Sequence, residues 1–178
     1  MTYAKYDSPL GKIFIAAKNR SLCGLWFEGQ KYFPDLSAAE ALENNNEPVL
    51  VTAKHWLDSY FIGDAPDASV LAVSPDGSDF QKEVWQLLCE IPYGKTVTYG
   101  YIAKCLAEKK GIPSISAQAV GGAVGHNPVS IIIPCHRVIG ASGSLAGYAG
   151  GIEKKIALLK LEKAYDDKFF IPKKSTAP

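Results

Sequence analysis

The chain has 178 residues, 47% of them hydrophobic and 21% charged, with a formal net charge of +1. Such a chain can bury a substantial core, and its length suits one domain or two small ones. No apolar run approaches the roughly 18 to 20 residues that a membrane helix needs, and the start lacks a secretory signal, so we expect a cytoplasmic protein without membrane contact.

The N-terminal part predicts a small antiparallel sheet. Three short β-prone runs, residues 3–6, 12–17 and 22–27, are separated by two turn-like stretches, which is typical of a meander. Pro48 then opens a helix whose apolar residues recur at helical spacing until Gly63. A further strand over residues 70–73 is expected to rejoin the sheet.

A turn-rich stretch at residues 74–77 coincides with a change of charge. Residues 1–78 carry 6 Lys and Arg against 10 Asp and Glu, whereas residues 79–178 carry 13 against 8. The basic second part is expected of a chain that contacts phosphates, although solvated surface lysines would give the same count. We therefore predict an α+β protein with an N-terminal domain of residues 1–77, a C-terminal, mostly helical domain of residues 78–165 and a tail of residues 166–178.

The C-terminal part predicts several short helices. Ser78 and Gln81 form a capping-box pattern at the start of the first, Thr98 can cap a second to about residue 108, and Ser116 begins a third. The last two admit a helix-turn-helix, although the joining residues 108–115 exceed the usual three or four. Small residues fill the third helix, which suits either close packing or close approach of a nucleic-acid backbone.

The four cysteines are scattered, with no CxxC pair, so we expect neither a zinc site nor another metal. Cys23, Cys89 and Cys105 lie in apolar or helical stretches, where a free thiol usually serves as a small core residue.

Cys135 lies in a different setting. A mostly apolar segment, residues 129–133, ends at Pro134. Proline has no backbone N–H to donate, so the chain cannot continue as a hydrogen-bonded β-strand there. His136 and Arg137 follow, and a cationic setting is expected to lower the pKa of a thiol and favour the nucleophilic thiolate. The alternative is a structural cysteine beside a polar corner.

A glutamate in the last predicted helix, residues 152–164, could complete a relay. Helical spacing puts Glu162 between Leu158 and Leu159 on the apolar face, where a carboxylate requires a partner. His136 is a candidate, giving a Cys, His, Glu relay in which the carboxylate orients the imidazole and the imidazole deprotonates the thiol. The alternative is a glutamate at the helix end that reaches solvent.

Several motifs together resemble the methylated-DNA, protein-cysteine methyltransferases, or 6-O-alkylguanine-DNA alkyltransferases. The matched stretches are residues 92–99 (PYGKTVTY), 121–128 (GGAVGHNP), 134–138 (PCHRV) and 147–151 (GYAGG). The resemblance extends from about Phe80 to Glu162. The N-terminal part fits the family's small variable domain, which is ribonuclease-H-like, only in general pattern.

The resemblance implies a role for each matched residue. Cys135 would accept the alkyl group, His136 would activate it through a water, Glu162 would hold His136, Asn127 would brace the turn before the cysteine, and Tyr99 would help to rotate the damaged nucleotide out of the duplex. The resemblance also implies that Tyr148 and Ala149 line the base pocket and that positions Ala117, Gln118, Gly121 and Arg137 contact the DNA.

Gln118 departs from the pattern, because well-studied members have an arginine there that enters the base stack. The joining loop also looks longer than theirs. Glutamine can intercalate but adds no positive charge, so we expect weaker DNA affinity with the transfer chemistry intact.

The predicted function is single-turnover transfer of an alkyl group from 6-O-alkylguanine, and from 4-O-alkylthymine, in double-stranded DNA to Cys135. We expect a monomer that needs no cofactor. The first alternative is an alkyltransferase-like protein that binds lesions without accepting the group; such proteins replace the cysteine, usually with tryptophan. The second is a cysteine hydrolase, which adjacent Cys135 and His136 side chains disfavour because neighbours in the chain rarely face each other.

Overall fold

The computed structural model describes residues 1–37 and 40–173, and the chain forms two compact units. The first comprises residues 1–76 and 128–132, and the second contains the remainder of the described chain. Within these described ranges, no helix is both long and apolar enough to cross a membrane.

A four-stranded sheet forms the centre of the first unit, in the order β3-β2-β1-β4. Its strands are β1 (Thr2–Ser8), β2 (Gly11–Lys18), β3 (Ser21–Phe27) and β4 (Leu42–Glu43). The first three pair antiparallel in chain order, which confirms the predicted meander. The two-residue β4 pairs parallel with β1 and was not predicted, since it carries no apolar alternation.

Helix α1 (Pro48–Phe61) packs against this sheet. Proline suits its first position because the missing N–H would have no partner there, and Leu50, Ala53, Leu57 and Tyr60 form its buried face. The segment of residues 70–73 rejoins the sheet as predicted, since the Leu22 N–H donates to the Ala72 carbonyl at 2.7 Å and the Ser74 N–H donates to the Leu22 carbonyl at 2.8 Å, but it forms no continuous strand. Asp67 instead caps a short 3-10 helix, Ala68–Val70, and only Val73 forms an isolated bridge to the sheet.

Residues 128–132 correct the predicted domain assignment, which had placed them in the C-terminal domain. They follow the free edge of β3: the Leu25 N–H donates to the Pro128 carbonyl at 2.8 Å, and the Ser130 N–H donates to the Leu25 carbonyl at 2.9 Å. An edge strand offers such unpaired groups to any extended segment that reaches it, which the apolar pattern alone does not reveal.

The described part of the second unit contains four α-helices and a two-stranded parallel ladder. These elements are α2 (Asp79–Cys89), β5 (Val97–Thr98), α3 (Tyr99–Lys110), α4 (Ala117–Gly125), β6 (Val138–Ile139) and α5 (Ile152–Leu161). Ser78 and Gln81 form the predicted capping box. Helix α3 ends at Gly111, which adopts the left-handed conformation, and helices α2, α3 and α4 pack together.

The predicted tail begins with ordered residues. The Leu145 N–H donates to the Phe170 carbonyl at 2.8 Å, and Phe169 packs against a cluster of Ile139, Leu145 and Leu159. The predicted tail is therefore packed against the second unit at Phe169 and Phe170. Its remainder, residues 174–178, lies outside the described residues.

Candidate active site

A tight turn delivers Cys135 to the interior of the second unit. Pro134 has φ −82° and ψ 63°, and the Cys135 N–H donates to the Ile133 carbonyl at 2.8 Å, which together define an inverse γ-turn. A short 3-10 helix, Cys135–Arg137, follows at once. The exposed fraction of Cys135 is only 5%, so a substrate must be brought to the sulfur and cannot meet it on an open surface.

Asn127 braces this turn from the end of α4. Its Nδ2 donates to the Ile133 carbonyl at 2.8 Å and to the Cys135 Sγ at 3.1 Å, and the side chain is buried. One amide thus fixes the residue before Pro134 and contacts the sulfur directly.

A buried bond joins His136 to Glu162. The distance from the His136 Nε2 to the Glu162 Oε1 is 2.7 Å, and both side chains are fully buried. Because an ionised carboxylate only accepts hydrogen bonds, Nε2 carries the hydrogen, and the lone pair that can take a proton is on Nδ1. The structure therefore brings together the histidine and glutamate of the predicted relay, with Glu162 at the C-terminal cap of α5.

Arg137 points inward. Its Nε donates to the Glu162 Oε2 at 2.8 Å, its Nη2 to the Glu162 Oε1 at 3.0 Å and its Nη1 to the Ile91 carbonyl at 2.6 Å. Only 11% of the side chain is exposed. This placement does not support the predicted DNA contact, because protein groups already use the guanidinium.

Lys155 is a buried cation that the sequence analysis missed. Its Nζ donates to the Val138 carbonyl at 2.6 Å and, more weakly, to the Ala146 and Gly147 carbonyls at 3.4 Å. Burial lowers its pKa to about 8, while the nearby Cys135 raises it. A signal was present: Lys155 lies three residues after Ile152 and four before Leu159, on the apolar face of α5.

The expected low pKa of the Cys135 thiol is wrong. Burial raises the pKa above its ordinary 9.0, and the bond from Asn127 and the charge of Lys155 offset burial only in part. Burial also lowers the pKa of His136, against the raising effect of Glu162, and the neighbouring charges of Arg137 and Lys155 lower it further. At rest the site therefore holds a neutral thiol beside a neutral imidazole, and deprotonation belongs to the reaction itself.

Tyr99, the first residue of α3, lies in the same site. The β5–β6 ladder pairs Val97 with Val138, which sets the start of α3 beside the chain that follows the 3-10 helix. The Tyr99 hydroxyl donates to the Ala146 carbonyl at 3.2 Å. Burial, with a smaller effect of Cys135, raises the pKa of Tyr99 to about 12, so its proton stays in place at neutral pH.

The other predicted residues lie on two segments. Tyr148 and Ala149 are half-buried in the loop before α5. Ala117 and Gln118 are exposed at the start of α4, where the Ser116 hydroxyl caps the helix, and Gly121 is half-buried one turn later. A Cβ at Gly121 would approach no atom closer than 3.9 Å, so packing within the unit does not require glycine there.

The second unit thus joins a pair of helices with helix-turn-helix connectivity to a buried cysteine, a neutral histidine, an ionised glutamate and a protonated tyrosine. Such an arrangement is typical of proteins that use a cysteine as a nucleophile, including those in which it accepts a transferred group.

Comparison with known proteins identifies the family. Residues 1–75 match the model of the 6-O-methylguanine DNA methyltransferase, ribonuclease-like domain, and residues 79–164 match that of the 6-O-methylguanine DNA methyltransferase, DNA binding domain. The chain belongs to the 6-O-methylguanine DNA methyltransferase family. The family resemblance drawn from the motifs and the α+β fold with a ribonuclease-like N-terminal part are both confirmed.

Individual relatives agree with this assignment. The methylated-DNA-protein-cysteine methyltransferase of Methanosarcina acetivorans is 42% identical over 91% of this chain and 98% of its own length. The crystal structure of the Mycobacterium tuberculosis O6-methylguanine methyltransferase superposes with a TM-score of 0.76 at 42% identity, covering 92% of this chain and 93% of that one. A crystal structure of Mycobacterium tuberculosis OGT in complex with DNA gives a TM-score of 0.77 at 40% identity, covering 92% and 94%.

Proposed function

We propose that this protein repairs DNA by transferring a methyl or larger alkyl group from the 6-oxygen of guanine, and from the 4-oxygen of thymine, to the Sγ of Cys135. The observation that carries the proposal is the buried 2.7 Å bond between His136 and Glu162 in the residues that directly follow and support this cysteine. The family assignment and the relatives' names agree with it.

The first step is removal of the thiol proton. The proton leaves the Cys135 Sγ and is taken up, by way of a water, at the Nδ1 of His136, whose Nε2–H remains bonded to Glu162. Two neighbours stabilise the buried thiolate as it forms. The Asn127 amide donates a hydrogen bond to it, and the positive charge of Lys155 attracts it.

Alkyl transfer follows as an in-line displacement. The sulfur forms a bond to the alkyl carbon as the bond from that carbon to the 6-oxygen breaks, and the electron pair of the broken bond stays on guanine. The Tyr99 hydroxyl donates a proton to the departing base and regains one from His136, so that guanine leaves neutral and the site returns to its starting protonation. The thioether product has no leaving route in water, so each molecule reacts once.

The substrate base must leave the duplex to reach a cysteine that is 5% exposed. Extruding a base costs a few kcal/mol, and least for a lesion that pairs poorly, which contributes to selectivity. We propose that α4 meets the DNA through Ala117, Gln118 and Gly121, and that Tyr148 and Ala149 border the extruded base. We further propose that the protein acts as a monomer in the cytoplasm.

Mass spectrometry of the protein after incubation with a duplex carrying one 6-O-methylguanine tests this proposal. The peptide that contains Cys135 is expected to gain one methyl group in place of a hydrogen, and Cys135→Ser is expected to lose the transfer. Cys105→Ser is the matched control, because Cys105 lies outside the site, on α3, and its replacement must leave the transfer intact. Lesion binding without any gain of mass would instead support the alkyltransferase-like alternative.

A further inference from the structure

The Glu162 carboxylate binds both a histidine and an arginine side chain. Its Oε1 accepts from the His136 Nε2 at 2.7 Å and from the Arg137 Nη2 at 3.0 Å, and its Oε2 accepts from the Arg137 Nε at 2.8 Å. The Gly94 N–H adds a weaker bond to Oε2 at 3.4 Å. Of the two partners only Arg137 holds both oxygens, in the bidentate geometry that suits a guanidinium and a carboxylate.

Arg137 is fixed in this position from other directions. Its Nη1 donates to the Ile91 carbonyl at 2.6 Å, and its guanidinium carbon lies 5.7 Å from the centre of the Tyr93 ring. The cation is therefore a permanent part of the cluster.

The position of Arg137 decides which side chain supplies the positive charge that compensates the Glu162 carboxylate. A buried carboxylate needs one compensating positive charge. With Arg137 present, that charge is supplied without a second proton on His136. If Arg137 were neutral, the same carboxylate would favour an imidazolium at His136, and an imidazolium cannot accept the thiol proton.

The other charged or titratable groups that face His136 do not favour an imidazolium either. Lys155, on the same helix as Glu162, is a buried cation and opposes a further positive charge on the imidazole. Cys135, which lies in the same 3-10 helix as His136, has a neutral thiol until it reacts.

We propose that Arg137 is a positioning residue of the transfer reaction: by pairing with both oxygens of Glu162 it keeps His136 neutral and ready to take the proton of Cys135. In the reaction one proton moves from Sγ to Nδ1, Glu162 and Arg137 keep their charges, and no other group changes its protonation in this step. The role deepens the proposed function and replaces the predicted DNA contact of Arg137.

NMR titration of His136 in protein labelled at the histidine ring tests the charge balance without any DNA. In a Cys135→Ser background, the midpoint of His136 is expected below 6.5. Arg137→Gln should raise it by about one pH unit or more, equivalent to a tenfold or larger change in the protonation constant. Arg137→Lys, which keeps the charge, should stay near the parent. Equal midpoints for Arg137→Gln and the parent would overturn the proposal, as would an equal rise in both variants.

A pair of variants without the carboxylate covers the case in which Arg137→Gln fails to fold. Glu162→Gln retains the cation alone, whereas Arg137→Gln combined with Glu162→Gln removes both charges and leaves no unpaired buried carboxylate. The His136 midpoint of the double variant is expected above that of Glu162→Gln, because only the latter retains the repelling cation. Identical midpoints would show that the charge of Arg137 does not reach His136.

The pH dependence of single-turnover methyl transfer supplies a second readout. Arg137→Gln should slow transfer most below the raised midpoint of His136 and approach the parent's rate at higher pH, while its affinity for undamaged duplex stays unchanged. A merely structural role would lower the rate by the same factor at every pH. That result, or a loss of duplex affinity with a smaller salt dependence, would contradict the proposal.

Discussion

At the scale of single residues, the site depends on a few buried polar groups that compensate one another. The Cys135 thiol, the His136 imidazole and the Lys155 ammonium are all drawn toward their neutral forms by burial. Glu162 shows the opposite outcome: burial would raise its pKa, but the bonds from His136 and Arg137 outweigh burial and hold it at about 2. The carboxylate is thus the fixed charge around which the others are arranged.

Asn127→Ala should damage both stability and transfer. It removes a side-chain donor to the Cys135 sulfur and leaves the buried Ile133 carbonyl without this bond. We expect the free energy of unfolding to fall by about 1 to 3 kcal/mol, and transfer near neutral pH to slow because the pKa of the thiol rises. Denaturant unfolding and single-turnover kinetics measure the two effects.

Ser130→Ala is the matched control for that loss. The Ser130 Oγ is buried and has no hydrogen-bond partner within the part of the chain that the structure describes. Replacing such a hydroxyl with hydrogen is expected to leave the free energy of unfolding unchanged or to raise it by about 1 kcal/mol. Similar losses in both variants would show that the polar side chain of Asn127 contributes nothing specific.

The parent protein should become more stable as the pH rises through the alkaline range, and Lys155→Met should remove this increase. Burial holds the pKa of Lys155 at about 8, below its ordinary 10.5. The unfolded chain therefore binds more protons than the folded one between these values, so stability increases with pH across that window, by about 3 kcal/mol for the full shift. Denaturant unfolding at pH 8 and 10.5, in a Cys135→Ser background, measures the rise.

The corresponding control is Lys160→Met, on the exposed side of the same helix. Its alkaline stability profile should match that of the parent. If the stability of Lys155→Met still rises with pH by the full amount, burial does not lower the pKa of Lys155 as the structure indicates.

At the scale of elements, α4 explains why small residues recur before the active-site turn. A Cβ at Gly122 would meet no atom within 4 Å, and the nearest atom to a Cβ at Gly121 belongs to Tyr99. Close packing inside the unit therefore does not account for these glycines, which favours the alternative that a nucleic-acid backbone approaches the helix closely.

Gly122→Ala separates the two explanations. Alanine in a helix interior should raise the free energy of unfolding by about 1 kcal/mol, because the added methyl meets only open space. Binding to duplex DNA should weaken at the same time. Fluorescence anisotropy with a labelled duplex measures the affinity, and an unchanged or tighter dissociation constant would argue against close approach at this position.

Gln118→Arg should strengthen duplex binding. Gln118 is exposed at the start of α4, where an added cation can meet a phosphate, so we expect higher affinity and a salt dependence steeper by about 0.9 in log–log slope. Gln86→Arg places the same charge at an exposed position of α2 and is the matched control. No difference between the two variants would contradict a specific role for position 118.

At the scale of the whole molecule, the sequence predicted most of the regular structure and the main chemistry. The meander, α1, the capping box of α2 and the burial of Glu162 all follow from local patterns. The segment 128–132, the inward turn of Arg137 and the burial of Lys155 do not. Each depends on contacts between residues distant in the chain, and a local pattern cannot show which carbonyl or carboxylate a cation will meet.

The same limit applies to the pKa of the thiol. His136 and Arg137 beside Cys135 in the sequence suggested a cationic setting, yet Arg137 pairs with Glu162 and burial keeps His136 neutral. The motif predicts which cysteine reacts, whereas the protonation state of that cysteine depends on the folded site.

The central claim is that Cys135 takes one alkyl group and keeps it. Titration of the protein with excess duplex carrying a single 6-O-methylguanine, with repaired guanine counted against modified protein, tests this most directly. We predict that repair stops at one guanine per molecule, with every methyl on Cys135. Repair of many lesions per molecule, or methyl groups on Cys23, Cys89 or Cys105, would contradict the account.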